Sequence, residues 1–161
     1  MKTKRPSGFS LIELLIVVAI IGIVAAIAIP NLLASRRAAN EGSAQSCVRT
    51  LHSAQATYQS TVGAGAYGTL AQLMSQNLID SVLGQANSTP KGGYIYNVID
   101  LSGTGAAAQY GVSAVPATTS GVAQTGSRRF AMSQIGVLRG DTTLIAPADV
   151  AAINVMPPLA N

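Results

Sequence analysis

Residues 9–35 read FSLIELLIVVAIIGIVAAIAIPNLLAS, and this stretch decides the fold. Glu13 is its only ionisable residue, and none follows between Leu14 and Ser35. At about 1.5 Å per residue, a helix over these last 22 or so residues is roughly 33 Å long, enough to cross a hydrocarbon layer of about 30 Å. The stretch therefore predicts a membrane-spanning helix. A carboxylate near the centre of such a helix costs on the order of 3 kcal/mol and less at its end, so we expect Glu13 to have a partner.

The eight residues before this helix form a short basic leader. It contains Lys2, Lys4 and Arg5 and ends at Gly8. Because basic residues beside a span stay in the cytoplasm, the leader predicts a cytoplasmic N-terminus and a single pass of the membrane. It also holds three of the ten basic side chains, against six acidic ones in the whole chain, so most of the formal charge of +4 belongs to the leader. The high pI therefore does not indicate specific nucleic-acid binding.

The junction between leader and helix resembles a known processing site. Residues 8–15, GFSLIELL, are similar to the site at which type IV prepilins and the pseudopilins of type II secretion are processed. A basic leader, a glycine, an aromatic residue and an acid at the fifth mature position rarely coincide before a span. The similarity continues through Gly22 and Pro30 and is close over about the first 45 residues, beyond which it extends only to the architecture.

This resemblance implies a maturation pathway. A membrane-embedded prepilin peptidase would cleave between Gly8 and Phe9 and N-methylate the new Phe9 amine. The mature chain would wait in the inner membrane and then be polymerised into a helical filament by a pilus or secretion assembly platform. In that filament Glu13 would face a Phe9 amine of a neighbouring subunit as an assembly salt bridge. Physical chemistry agrees, because opposite charges that pair in a low-dielectric setting offset their desolvation and fix register.

Gly22 and Pro30 interrupt the apolar helix. Pro30 lacks an N–H and clashes with the preceding turn, which predicts a kink. In the family that the chain resembles, the segment between such a glycine and proline can lose its helical hydrogen bonds when the filament forms. Melting between Gly22 and Pro30 and a simple bend both remain open from the sequence.

Two other interpretations of the N-terminus compete with this one. A secretory signal peptide has a basic start and an apolar core, and Ala26 to Ala28 offers a small-x-small cleavage site. A signal anchor that is neither cleaved nor polymerised is the other alternative. An acid at Glu13 is unusual for a signal peptide, and Pro30 close after the cut is unfavourable.

Beyond Pro30 the helix is expected to continue to about Val62 with one apolar face. Residues that share this face recur at three- and four-residue steps: Ala44, Val48, Leu51, Gln55, Tyr58 and Val62. The polar residues of this half of the helix, Glu41 and His52 among them, are expected to occupy the remaining, solvent-facing surface. Such an apolar face should lie against a sheet, and the resemblance then implies an α+β pilin fold, a long N-terminal helix packed on a small antiparallel sheet. The expected divisions are a leader, a membrane-spanning and assembly half of the helix, an amphipathic half and a globular head, at residues 1–8, 9–35, 36–62 and 63–161.

The head is expected to begin with a short helix and to continue as a meander of strands. Thr69 is a candidate cap for a helix that ends near Gln76. Alternating or β-branched runs predict four strands, at residues 94–99, 109–115, 128–133 and 136–139. Short connections favour antiparallel pairing. The proline-containing tail after Asp141 is expected to lie irregularly over the surface.

The head shows no pattern typical of catalysis, so the sequence predicts no enzyme, cofactor or metal site. His52 is the only histidine and Cys47 the only cysteine, which excludes an intramolecular disulfide. Asp100, Asp141 and Asp149 are too widely spaced to indicate a calcium loop. The three arginines of the strands are expected to be solvated or to protect strand edges: Arg128, Arg129 and Arg139.

Together with these patterns, the resemblance implies a structural subunit, the major pilin of a type IV pilus, which moves from the inner membrane to an extracellular filament. A pseudopilin of a periplasmic type II secretion filament is the first alternative. A minor or tip pilin for adhesion or DNA uptake is the second, although minor subunits often lack the acid that Glu13 supplies.

Overall fold

The computed structural model describes residues 9–159. The chain falls into two compact units that divide between Ser35 and Arg36. One α-helix, α1 (Leu11–Thr61, 51 residues), runs through the boundary and contains Pro30. The predicted leader, including Gly8, lies outside the described residues.

In its described residues, 9–35, the first unit is the first half of α1, and the apolar side chains of this half are exposed. In the part of α1 with a mean hydropathy of 3.1, no residue is buried within the chain, and by length and composition the helix qualifies as a membrane span. Leu11 is 77% exposed, and Ile23 in the middle of the segment is 64% exposed. Exposing this surface to water is unfavourable, because burying each large apolar side chain contributes about 1.5–3 kcal/mol. The surface must therefore be covered by something other than this chain.

The second unit contains a four-stranded antiparallel sheet in the order β1-β2-β3-β4. The strands are β1 (Tyr94–Ser102), β2 (Gln109–Pro116), β3 (Arg129–Ser133) and β4 (Leu138–Asp141). The predicted α+β class and the meander are therefore confirmed. The fourth strand begins two residues later than expected, because a turn closed by a hydrogen bond from Gly136 N to Ser133 O precedes it.

Within residues 9–159, three short α-helices accompany the sheet: α2 (Leu70–Ser75), α3 (Ser81–Gly84) and α4 (Val150–Val155). A single 3-10 turn at Gly105–Ala107 lies between β1 and β2. The predicted Thr69 cap of α2 is confirmed as a full capping box with Gln72. Neither α3 nor α4 was expected from the sequence. Both are capped by an aspartate, Asp80 and Asp149 respectively, whose carboxylate accepts a hydrogen bond from a backbone N–H of the first turn.

The core of the second unit joins one face of α1 to the sheet. The helix contributes Ala44, Val48, Leu51, Ala54 and Tyr58, and the sheet contributes Tyr94, Tyr96, Tyr110, Val112, Ala114 and Phe130. The predicted apolar face of the helix is correct up to Tyr58. Val62 was wrongly included in it, since α1 ends at Thr61 and the Val62 side chain is 53% exposed.

A buried amide fixes the chain where it turns back after α1. Gln55 is fully buried, and its side chain donates to Gly68 O at 2.6 Å and accepts from Gly68 N at 2.9 Å. This pair of bonds gives both ends of the buried amide a partner. Gly68 also lies against Tyr58, where a Cβ atom would come within 3.0 Å of the ring. The close approach explains why a glycine stands there.

Candidate functional site

The side chain of Glu13 accepts a hydrogen bond at the N-terminus of α1 and so helps to cap the helix. Ser10 N donates to Glu13 Oε2 at 3.3 Å, and Leu14 N donates to Ser10 O at 3.2 Å. Ser10 is thus placed as the N-cap and Glu13 as the third helical residue, and the bond from Ser10 N to Glu13 is one of the two hydrogen bonds of a capping box. The sequence analysis missed this role, although the Ser-x-x-Glu spacing signals it. A carboxylate at a helix N-terminus is also favoured by the helix dipole.

Two of the predicted assembly residues lie together at this helix start. Phe9 is 78% exposed, and Glu13 is exposed one turn further on. The capping bond engages one carboxylate oxygen of Glu13, and an ionised carboxylate accepts several hydrogen bonds. The site therefore leaves Glu13 able to accept a second donor from outside the chain. Pairing with a neighbouring Phe9 amine stays a prediction.

Gly22 and Pro30 both lie within continuous helix. A Cβ atom at Gly22 would meet no heavy atom within 4 Å, so no contact in the described chain requires a glycine there. An exposed glycine in a helix interior costs about 1 kcal/mol relative to alanine. Gly22 thus weakens the helix locally without a packing reason within residues 9–159, which is compatible with the predicted melting and does not test it.

A second site, absent from the sequence analysis, surrounds Glu41. This residue was expected to face solvent, but it is only 8% exposed. Its Oε1 accepts from Ser127 N at 2.8 Å and from Ser127 Oγ at 2.6 Å, and its Oε2 accepts from Arg128 Nε at 3.1 Å. Arg128 Nη2 lies 3.1 Å from the same oxygen. Glu41 lies three residues before Ala44 and seven before Val48, so the helical period places it on the buried face and was a signal for its burial. Its partners are 86 and 87 residues away, and the period gives no signal for them.

The electrostatics of Glu41 follow from these contacts. Burial by itself raises the pKa of the carboxyl group, because it disfavours the charged form. The hydrogen bonds from Ser127 and the charge and hydrogen bond of Arg128 outweigh burial, and the net pKa of Glu41 is lowered from its ordinary value of 4.5. Glu41 is therefore an ionised carboxylate with a partner on each oxygen.

Two neighbours of Glu41 on α1 contact the same loop. Asn40 Nδ2 donates to Thr125 O at 2.9 Å, and Arg37 Nη1 donates to Gln124 Oε1 at 3.4 Å. We call this set of contacts the Glu41 latch; it joins Arg37, Asn40 and Glu41 of α1 to Gln124, Thr125, Ser127 and Arg128. The latch fastens the segment between β2 and β3 to the helix.

The lone histidine is packed rather than solvated, which corrects the expectation for His52. Its Nδ1 is hydrogen-bonded to the hydroxyl of Tyr110, and the two rings are stacked with centroids 6.1 Å apart. Burial lowers the pKa of His52 from its ordinary value of 6.5. Tyr110 in turn contacts the Tyr67 ring at 4.3 Å between centroids. The His52 side chain is therefore packed against the core through Tyr110.

The arginines of the strands are also engaged, contrary to the expectation of solvated charge. Arg128 belongs to the latch. Arg129 forms a bidentate ion pair with Asp141, with Nε and Nη2 each 2.9 Å from a carboxylate oxygen. Arg139 donates to Met156 O at 2.6 Å. These three groups stabilise the fold.

The candidate acidic residues have structural partners too. Asp100 accepts from Val150 N at 3.3 Å, Asp141 pairs with Arg129, and Asp149 caps α4. Within residues 9–159 no group of three or more histidine, cysteine, aspartate and glutamate residues is arranged to hold a metal ion. Cys47 is partly buried and packs against the main core.

The chain is similar to known proteins in its N-terminal part. Residues 3–29 match the family model described as the prokaryotic N-terminal methylation motif. The chain is 63% identical over 38 residues to the type IV wide pilus major component PilA4 of Thermus thermophilus, which is 24% of this chain and 29% of that protein. It is 48% identical over 54 residues to the type IV major pilin protein PilA of Myxococcus xanthus, covering 34% of this chain and 24% of that protein.

A third relative belongs to a secretion system. The chain is 36% identical over 59 residues to the type II secretion system core protein G of Aeromonas hydrophila, covering 37% of this chain and 41% of that protein. The chain thus spans less than half the length of each of these relatives. No solved structure matches the chain significantly. The predicted resemblance is confirmed: in its N-terminal segment the chain is similar to type IV pilins and to a core protein of type II secretion.

Proposed function

We propose that this chain is a structural subunit, and specifically the major pilin, of a type IV pilus. The observation that carries the proposal is the apolar half of α1, which is exposed in the single chain and has Glu13 in its first turn. A helix of this kind is covered either by lipid or by other helices. The same surface therefore serves as a membrane anchor before assembly and as the filament core afterwards.

The proposed maturation follows from the motif at the start of the chain. A prepilin peptidase cleaves between Gly8 and Phe9 and methylates the Phe9 amine, which keeps its positive charge. Support comes from the match of residues 3–29 to the N-terminal methylation motif. Cleavage before the apolar segment leaves the whole helix in the product, as polymerisation through that helix requires.

Glu13 is proposed to pair with the Phe9 amine of a neighbouring subunit. Its support is the position of the carboxylate at the exposed helix start, where the capping bond from Ser10 engages one of its two oxygens. Among packed apolar helices an unpaired carboxylate is strongly unfavourable, whereas an ammonium partner offsets its desolvation. The pair thereby sets the stagger between subunits.

The proposal is tested by the mass and the abundance of the surface product. The full chain is expressed in a pilus-assembling bacterium, and filaments are sheared from the cells and analysed by intact-mass spectrometry. We expect abundant filaments of a chain that begins at N-methylated Phe9. A product that begins at Ile29 would identify a signal peptide, and an unprocessed chain that stays in the membrane would identify a signal anchor; either result contradicts the proposal.

A type II secretion pseudopilin is the second candidate. Of the three relatives described above, core protein G is the one whose length this chain covers most, at 41%. The two candidates differ in where the filament is found. A processed, methylated chain that yields no surface filaments at normal expression, and whose deletion blocks secretion of folded proteins, would favour the pseudopilin over the pilin. A processed chain of low abundance in filaments made of another subunit would indicate a minor or tip pilin.

A further inference from the structure

Cys47 is a nucleophilic side chain that the proposed assembly does not use. It is half-buried on α1 and packs against the main core of the second unit. The proposed export places this residue outside the cytoplasm, where an odd cysteine is either paired with another chain or free and reactive. The surroundings of the Cys47 thiol distinguish between these two states.

Cys47 lies in the wall of a cavity of about 630 Å³ in the second unit. The cavity is formed by α1, α2, α3 and the link between the two short helices. Its walls include the buried apolar residues Ile79 and Leu83, whereas Asp80 is exposed. A volume of this size is within the range of small-molecule sites, about 300–1,000 Å³. Because the thiol is recessed beside buried residues, a small molecule reaches it more readily than a second protein chain does.

The hydroxyl group of Tyr96 is coupled to the Cys47 side chain. Tyr96 is fully buried, and its hydroxyl finds no hydrogen-bond partner within residues 9–159. Burial first, and then the neighbouring Cys47, raise the pKa of Tyr96 above its ordinary value of 10.0. A buried donor without an acceptor is unfavourable, and the thiolate form of Cys47 would be such an acceptor. The Tyr96 hydroxyl can therefore stabilise the ionised form of Cys47, which is the nucleophilic one.

A cation lines the same cavity. Lys91 Nζ donates to Asp80 Oδ2 at 2.7 Å, and the Lys91 side chain is 26% exposed. An ammonium group has three donors, so the ion pair with Asp80 leaves donors for a ligand. The other oxygen of Asp80 accepts from Leu83 N as the cap of α3 and is therefore engaged. The charge of Lys91 thus favours a ligand with a carboxylate group over a neutral ligand of the same size.

We propose that Cys47 is a modification site for small disulfides that carry a carboxylate group, the class to which cystine belongs. The Cys47 thiolate attacks one sulfur of the ligand, the S–S bond of the ligand breaks, and a new S–S bond joins Cys47 to one half. The other half leaves as a thiolate and takes up the proton that Cys47 has lost, so no further oxidant is consumed. Lys91 binds the carboxylate, and Tyr96 donates to the attacking thiolate. Only the compartment rests on the proposed function.

Reaction rates with two disulfides of similar size test the preference for a carboxylate. The detergent-solubilised full chain is treated with dithiodiglycolate, which has carboxylates, or with hydroxyethyl disulfide, which is neutral, and the adduct is followed by intact-mass spectrometry. The matched control is Ser46→Cys in a Cys47→Ser background, because Ser46 is exposed on α1 and does not line the cavity. We expect the ratio of the dithiodiglycolate rate to the hydroxyethyl disulfide rate to be at least threefold higher for Cys47 than for the control. Lys91→Met should lower this ratio to that of the control.

Tyr96→Phe separates a chemical role of the hydroxyl from a packing role. The substitution keeps the ring, and the lost hydroxyl has no hydrogen-bond partner in the described part of the chain, so the thermal melt should match the wild type. We expect adduct formation at Cys47 to slow at least threefold with both disulfides, because the thiolate loses its donor. A rate ratio for Cys47 equal to that of the control, or an unchanged rate in Tyr96→Phe, overturns the inference and leaves the proposed function standing. A chain that gives the expected adduct but forms no filaments overturns the proposed function alone.

Discussion

At the residue scale, Glu41 shows how a buried carboxylate is tolerated. Each of its two oxygens accepts at least one hydrogen bond, and an arginine supplies the opposite charge. Buried ion pairs add little net stability, but removing one partner is costly because the other is left without compensation. We therefore interpret the latch as a device that positions a loop.

Replacing Glu41 by glutamine is expected to lower the free energy of unfolding by about 1.5–3 kcal/mol, the usual contribution of hydrogen bonds to a charged group. Urea titration of the solubilised full chain measures this. The matched control is Asp80→Asn, which removes the exposed ion pair to Lys91 and keeps a residue suited to cap α3. That variant should lose less than about 1 kcal/mol. Equal effects of the two substitutions would contradict the assigned role of Glu41.

The same substitution has a defined pH dependence. The pKa of Glu41 is lowered in the folded chain, so the unfolded chain takes up the proton first as the pH falls. The contribution of Glu41 is complete above the ordinary pKa of 4.5 and is lost as the pH falls through the folded value. The stability difference between wild type and Glu41→Gln should therefore shrink in acid. A difference that stays constant across this range would exclude an ionised Glu41.

Protonation of His52 is also expected to lower the stability of the fold in acid, but over a different pH range. Burial lowers the pKa of His52, so the unfolded chain binds the proton more readily and stability falls as the pH drops below 6.5. His52→Asn keeps an acceptor for the Tyr110 hydroxyl and cannot be protonated. Denaturant titrations between about pH 8 and about pH 5 should show a shallower slope for this variant. Identical slopes would mean that His52 titrates as an exposed histidine.

How far single residues were predictable depends on the range of their contacts. The cap that Glu13 provides is local and stands in the sequence as Ser-x-x-Glu. The partners of Glu41 and the contact of His52 with Tyr110 are long-range, and residue spacing on α1 carries no information about partners 58 to 87 residues away.

At the element scale, the C-terminal tail is fastened by arginines. Arg129 pairs with Asp141 and donates to Ile145 O at 2.6 Å, and Arg139 donates to Met156 O. Beyond these, Gly140 N donates to Pro157 O and Leu159 N donates to Leu138 O, so the end of the tail adds to the β4 edge. In a chain with a single cysteine, these polar contacts hold the tail on the sheet without a disulfide.

Arg129→Ala should loosen the tail. It removes a bidentate pair with Asp141 and the bond to Ile145 O, so we expect a loss of about 1–3 kcal/mol in the free energy of unfolding. Limited proteolysis should cut within residues 141–149 faster than in the wild type. Arg49→Ala, at an exposed position of α1, serves as the control. An unchanged cleavage rate in the tail would show that Arg129 does not fasten it.

Elements with a strong period were predictable, and those without one were not. The stripe on α1 and the β-branched strands repeat over enough residues to define helix and sheet. In contrast, α3 has four residues and α4 six, which is too few for a period to emerge. Their signals were the capping aspartates Asp80 and Asp149, which spacing alone did not distinguish from turn residues.

At the scale of the whole molecule, the two units differ in how their apolar side chains are buried. The second unit buries its own core, whereas the apolar half of α1 is left exposed by the chain. Composition and the N-terminal motif were sufficient to predict this division, because the absence of charge over a stretch of roughly 20 residues has few physical explanations. The polar latch and the loop that it fixes required the three-dimensional structure.

The central claim is that the apolar helices form a filament core in which Glu13 pairs with the terminal amine of another copy. A density map of sheared wild-type filaments tests it most directly. We predict that each subunit begins at Phe9 and that the Glu13 carboxylate lies within hydrogen-bonding distance of a neighbouring Phe9 amine. Filaments that retain the leader, or in which Glu13 faces water with no cation beside it, would contradict the account.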